Sequence, residues 1–240
     1  MDIFVIFLAI GFAGLIHASF QLSISMVTLL SGHTNVKKMN TRKTFSLIDS
    51  FIWGVVIMTT LILSTSSFLI SIFFPNSIPL YIWALATIFM IFIGVIIWSF
   101  YYRRGEGTAL WMPRSLARFI DKRINKVQIP AEAFSLGVSS VLTEIMFIAG
   151  PTLAVSLLVN KLPTNLQIYA LMLYVFIASS GVFLTRVLIG SGHSISKIQK
   201  WREENKLFMQ FCSGSALIVL GVFLYVNIVL PSSIINIGGL

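Results

Sequence analysis

Apolar residues fill this chain in long blocks, and short polar connections separate the blocks. A helix that crosses a bilayer needs about 20 mostly apolar residues. Six stretches reach that length: 3–31, 45–74, 80–101, 132–159, 166–190 and 207–230. Several exceed 25 residues, so tilt, kinks or ends projecting into water are expected. The pattern predicts an all-α integral membrane protein with six transmembrane helices. The opening "MDIFVIFLAIGF" has no basic leader, and no small-residue cleavage site closes the first block. That block is therefore expected to stay as a permanent helix rather than be removed as a signal.

The connections differ in charge. "GHTNVKKMNTRK" carries four Lys/Arg, "YYRRGEGTALWMPRSLARFIDKRINKVQIP" seven and "GHSISKIQKWREENK" four, fifteen of the seventeen in the chain. "PNSIP" and "NKLPTN" carry only Lys161. The basic connections are the first, third and fifth, so they share one side, and the positive-inside rule makes it the cytoplasm. Both termini are then extracytoplasmic. Within the long loop, Leu116, Phe119, Ile120 and Ile124 recur at helical spacing among basic residues. This reads as an amphipathic segment lying on the cytoplasmic leaflet, or as a docking site for a protein partner.

Polar residues interrupt two of the blocks in register. In the first, Gly14, His17, Gln21, Ser25 and Thr28 fall on one helical face; in the fourth, Gly137, Ser140, Glu144 and Pro151 do the same. Polar groups at mid-bilayer depth are stable only against protein or water, so these two helices are expected to face each other. Glu144 and His17 suit a proton- or cation-coupled site, because burial and mutual interaction bring carboxyl and imidazole groups toward proton exchange near neutral pH. The same face also suits a structural contact in which Glu144 bonds Gln21 and Thr143. Pro151, in "AGPT", removes a helical hydrogen bond and predicts a kink or break. Carbonyls freed beside Gly150 would then be available to a solute or ion. Asp49 and Arg186, each near the cytoplasmic end of a helix, are expected to pair as an inner gate; snorkelling to the interface would also explain Arg186.

The two stripes belong to a wider correspondence. "IFIGVIIWS" (91–99) matches "IVLGVFLYV" (218–226) at an offset of 127. Aligning Gly14 with Gly137, an offset of 123, sets His17 on Ser140 and Gln21 on Glu144. Three helices per half means that the halves enter the membrane from opposite sides, an inverted repeat of the kind transporters use around a midplane site. The chain then divides into a first half at 1–102, a basic loop at 103–130 and a second half at 131–240.

Composition excludes other classes. The chain is 57% hydrophobic and 10% charged, against about 25% charged in soluble domains. The net charge of +9 is explained by the cytoplasmic loops, so no nucleic-acid partner is expected. One cysteine, Cys212, forms no internal disulfide or dithiol pair and reads as a small buried apolar residue. The tryptophans read as interface anchors. There is no H-E-x-x-H, and the Ser-Gly of "ASSGVF" has no histidine in a later helix. Neither an enzyme, a metal centre nor a cofactor is expected.

Six helices, outward termini, inverted halves and small, polar and proline motifs in helices 1 and 4 together resemble the LysE-type superfamily of small membrane exporters, with its CcdA-like and nickel/cobalt efflux branches. "GLIHA" is similar to the Gly-x-x-His-Ala of the nickel/cobalt branch, and "AGPT" to the Gly-Pro motifs of the exporter branch. The thiol-carrier branch needs a cysteine in each of helices 1 and 4, and here those helices have none, which excludes electron transfer. The metal-efflux branch carries a histidine-rich loop and acidic ligands, whereas these loops are basic and histidine-poor. The resemblance implies export of a small solute or ion across a bacterial inner membrane. His17, Gln21, Ser25, Ser140, Glu144, Gly150 and Pro151 are the candidate binding residues, and Asp49 and Arg186 the gate. The alternative is a non-transporting membrane subunit that stabilises or recruits a partner protein.

Overall fold

The apolar blocks form helices whose ends follow local chemistry. The computed structural model describes residues 1–20, 24, 26, 27, 30–32, 40–100, 123, 124, 127–191, 200, 201 and 204–233. Its helices are α1 (Ile3–Ser19), α2 (Thr41–Phe73), α3 (Leu80–Phe100), α4 (Pro130–Val159), α5 (Thr164–Ala178), α6 (Ser180–Gly190) and α7 (Lys206–Leu224), and no strand occurs among the described residues. Asn40 caps α2 by accepting the Arg42 N–H at 3.3 Å. Pro130 opens α4, where its missing N–H leaves no bond unmade. Glu132 reaches back to accept the Gln128 and Ile129 N–H groups at 2.8 and 3.4 Å. A widened π turn, Tyr225–Val229, continues α7.

Among the described residues, four helices are long and apolar enough to cross a membrane: Thr41–Phe73, Leu80–Ser99, Pro130–Val159 and Leu207–Ser233. Counting α5 and α6 as one bent span makes five. α1 is apolar but only 17 residues long as described; Ile24, Met26, Val27 and Leu30–Gly32, further along the same block, are also helical.

The helix expected to break does not. α4 runs continuously through Pro151, because one missing hydrogen bond does not unseat a helix held by neighbours. The break falls instead in the fifth block, where α5 and α6 meet at Ser179 with a 44° bend. The local sequence Ser179-Ser180-Gly181 explains it: serine and above all glycine are weak helix formers, and Ser/Gly pairs are a recognised source of sharp bends.

α2 and α4 make the most extensive contact, followed by α3 with α7; α1 lies against α5, α4 and α7. Glycines let the first two pairs touch backbone to backbone. A methyl group on Gly54 would overlap the Phe134 carbonyl oxygen, and one on Gly137 the Phe51 carbonyl oxygen. Gly94 and Gly214 repeat the arrangement between α3 and α7, each 2.9 Å from the other's carbonyl oxygen when a Cβ is added. Large apolar side chains on the outside, among them Phe4, Phe68, Met146, Phe176 and Leu207, suit lipid rather than water. Cys212 is one of the outward residues and not a core filler; it follows Phe208 and Phe211 on the exposed side of α7. Trp83 departs in the other sense. It is buried in the core, with the Lys161 ammonium 4.7 Å from its ring centre, so a cation–π contact replaces the expected interface anchoring.

Candidate functional site

Helices 1 and 4 of the sequence pattern do face each other, as α1 and α4. His17, Ser140 and Glu144 are all buried, at 2%, 0% and 1% exposure. Burial of three such polar groups requires hydrogen bonds for each. His17 finds its partner on a third helix: its Nδ1 lies 2.8 Å from the Tyr174 hydroxyl on α5. The same hydroxyl lies 3.2 Å from Thr152 Oγ1 on α4. Tyr174 and Thr152 are themselves buried. The result is a continuous chain, His17–Tyr174–Thr152, that ties α1, α5 and α4 together inside the protein. Each link can reverse its donor and acceptor, since hydroxyl groups do both and the imidazole tautomer follows its neighbour.

The expected pairing of His17 with Glu144 is not what the geometry gives. Among the described residues no hydrogen bond joins them; the Tyr174 hydroxyl takes the His17 ring. Ser140 donates to the Gly137 carbonyl at 2.7 Å and Thr143 to the Ser140 carbonyl at 2.6 Å, so both hydroxyls bond back into α4. Gly150 is a packing residue, its missing side chain making room for Leu217 and Met90. Pro151 is buried in the unbroken α4. Gln21, Ser25 and most of the basic loop 103–130 lie outside the described residues.

No protein family, curated protein or solved structure matches the chain. The site is thus read from its own chemistry.

Tyr174 and Thr152 are the members that sequence reasoning missed. A signal for each was present: Thr152 sits beside Pro151 in "AGPT", and Tyr174 is a tyrosine placed well inside a block, where its hydroxyl must find a partner. Tyr174→Phe removes the shared hydroxyl and leaves two buried groups without it. A loss of about 1–3 kcal/mol is expected, read as the shift in thermal unfolding of the purified protein. A midpoint equal to the parent's would show that the chain of hydroxyls contributes nothing to stability.

Asp49 and Arg186 do pair. Arg186 Nε and Nη2 donate to the two Asp49 carboxylate oxygens at 2.8 and 3.2 Å, and the guanidinium lies 5.0 Å from the Phe45 ring centre. The fork joins α2 to α6. Its side chains are 39% and 44% exposed, so the pair is easily opened. A double-mutant cycle with Asp49→Asn and Arg186→Gln is expected to give a coupling of about 1 kcal/mol or less. A coupling several times larger would mark the contact as structural rather than a latch.

Proposed function

We propose that the chain is a six-span membrane transporter made of two inverted three-helix halves, which moves a small solute with proton or cation coupling through a site between the first and fourth spans. The basic loops lie in the cytoplasm and both termini outside, and the direction is export across a bacterial inner membrane, as the LysE-type resemblance implies. The observation that carries this reading is the burial of polar groups on these helices: Glu144 on α4 and, separately, the His17–Tyr174–Thr152 chain across α1, α5 and α4. Polar groups buried so deep in membrane helices mark ion and solute paths, and linked hydroxyl and imidazole groups can pass a proton.

Packing supports the repeat independently of sequence matching. Gly137 approaches the Phe51 carbonyl; at the offset of 123, Gly14 approaches the Tyr174 carbonyl, 3.4 Å from an added Cβ. Gly54 approaches Phe134, and at the same offset Ile177 approaches Gly11, 3.6 Å from a Cβ added there. The other offset, 127, governs α3 and α7: a Cβ added at Gly94 would stand 2.6 Å from Ile218, and one at Gly221 3.0 Å from Ile91. A two-fold relation requires contacts to recur in exchanged pairs of this kind. The Asp49–Arg186 fork, on the side of the basic loops, serves as the inner gate.

The test is reconstitution. Purified protein in liposomes with an entrapped pH dye is expected to move protons when a panel of small cationic and zwitterionic solutes is added on one side. Vesicles holding the protein that behave as empty ones across the panel would favour the non-transporting subunit instead.

A further inference from the structure

We propose that the break in the fifth span, at Ser179, is a buried subsite for a small monovalent anion, either inorganic or the carboxylate end of a solute. Ser179 is the N-cap residue of α6 and makes no capping hydrogen bond. It is 1% exposed, and its Oγ has no hydrogen-bond partner. The backbone of the same residue is fully used: its N–H donates to the Val175 carbonyl at 2.9 Å, and its carbonyl accepts from Phe183 at 3.3 Å. Only the hydroxyl is left over, in an interior where an unmet polar group costs about 1–3 kcal/mol.

Some other buried hydroxyls avoid that cost by bonding back to their own helix, as Thr87 does to Ala84 and Thr185 to Gly181, both at 2.8 Å. Ser156 and Ser215 share the lack of a partner but lie within the uninterrupted helices α4 and α7. At Ser179 alone of the three, the hydroxyl coincides with the start of a helix. The first amides of α6, from Ser180, Gly181 and Val182, have no acceptor within their own helix, and the helix dipole makes this end positive. Gly181 has no side chain to shield its amide. An anion here would accept from the hydroxyl and from the amides together, the arrangement by which half-helices in membrane transporters hold anionic groups.

As a substrate contact the subsite rests on the transport reading above; as a binding site it stands apart from it. The experiment is equilibrium binding of radiolabelled acetate to purified protein at fixed ionic strength. Saturable binding is expected, displaced by formate and by neither acetamide nor methylammonium. Stronger displacement by chloride than by formate would point to an inorganic occupant, and the reverse to a solute carboxylate. Ser179→Ala is expected to weaken binding about tenfold, the worth of one charge-assisted hydrogen bond, and Ser179→Thr to keep it. Absent or unsaturable binding in the parent protein, displacement by acetamide equal to that by formate, or full affinity in Ser179→Ala would overturn the proposal. Acetate binding without flux in liposomes would sink transport and leave the subsite; flux without acetate binding would do the opposite.

Discussion

Gly137→Ala is expected to lower the thermal midpoint of the purified protein by about 10 °C, while Gly11→Ala leaves it unchanged or slightly raised. The two substitutions add the same methyl group to helices. They differ in what it meets. On Gly137 the methyl overlaps the carbonyl of Phe51, and the Val55 amide nitrogen stands 3.1 Å away. Both obstacles are backbone of α2, so no rotamer change relieves the clash and the two helices must separate. Overpacking costs typically about 1–3 kcal/mol and more where backbone has to move; for a chain of this size each kcal/mol is worth about 2–4 °C. On Gly11 the nearest atom is Ile177 Cδ1 at 3.6 Å, an ordinary contact. There alanine gains its usual helix preference over glycine of about 0.5–1 kcal/mol. Equal midpoints for the two variants would mean that α2 and α4 do not cross as closely as described.

Glu144→Gln is expected to reduce solute-driven proton movement in liposomes to the level of protein-free vesicles, with little change in thermal stability. The substitution keeps volume and hydrogen-bonding capacity but removes the group that can carry charge or release a proton. Residue 144 is 1% exposed, and a carboxyl at such depth is costly to keep for packing alone. In the proposed repeat Gln21 falls at the corresponding position of the first half, so an amide would be chemically at home at this place. Full flux in Glu144→Gln would remove Glu144 from the transport cycle. A large fall in stability would instead make it a structural hydrogen-bonding residue.

Much of the helical layout was legible because hydrophobic blocks map directly onto helices. The stretch 80–101 became Leu80–Phe100 and 132–159 became Pro130–Val159. The facing of α1 and α4 was legible from one-sided polar stripes. What escaped was set by contacts between helices. Proline is the stronger local breaker, yet α4 continues through Pro151 while Ser179, in a softer Ser-Ser-Gly setting, yields. Tyr174 could be seen as a polar tip inside an apolar block, but its role between His17 and Thr152 depends on how α5 settles on α1 and α4, which periodicity does not specify. Glu144 and His17 were paired by chemistry alone; the structure gives His17 to a tyrosine from a third helix. The Asp49–Arg186 pair was the reverse case, where two isolated charges in apolar helices left each other as natural partners.

If the halves repeat as proposed, their crossings are unequal. Between α2 and α4 both helices present glycine, whereas the crossing of α1 with α5 has Ile177 where its counterpart has Gly54. In a chain whose halves exchange shapes, two equal crossings would leave the forward and reversed arrangements balanced in population. The isoleucine removes that balance: α1 and α5 cannot close as tightly as α2 and α4 without displacing its side chain. In the proposed transporter one end state would then be the resting state, and a solute or ion would have to bind the other more tightly to populate it.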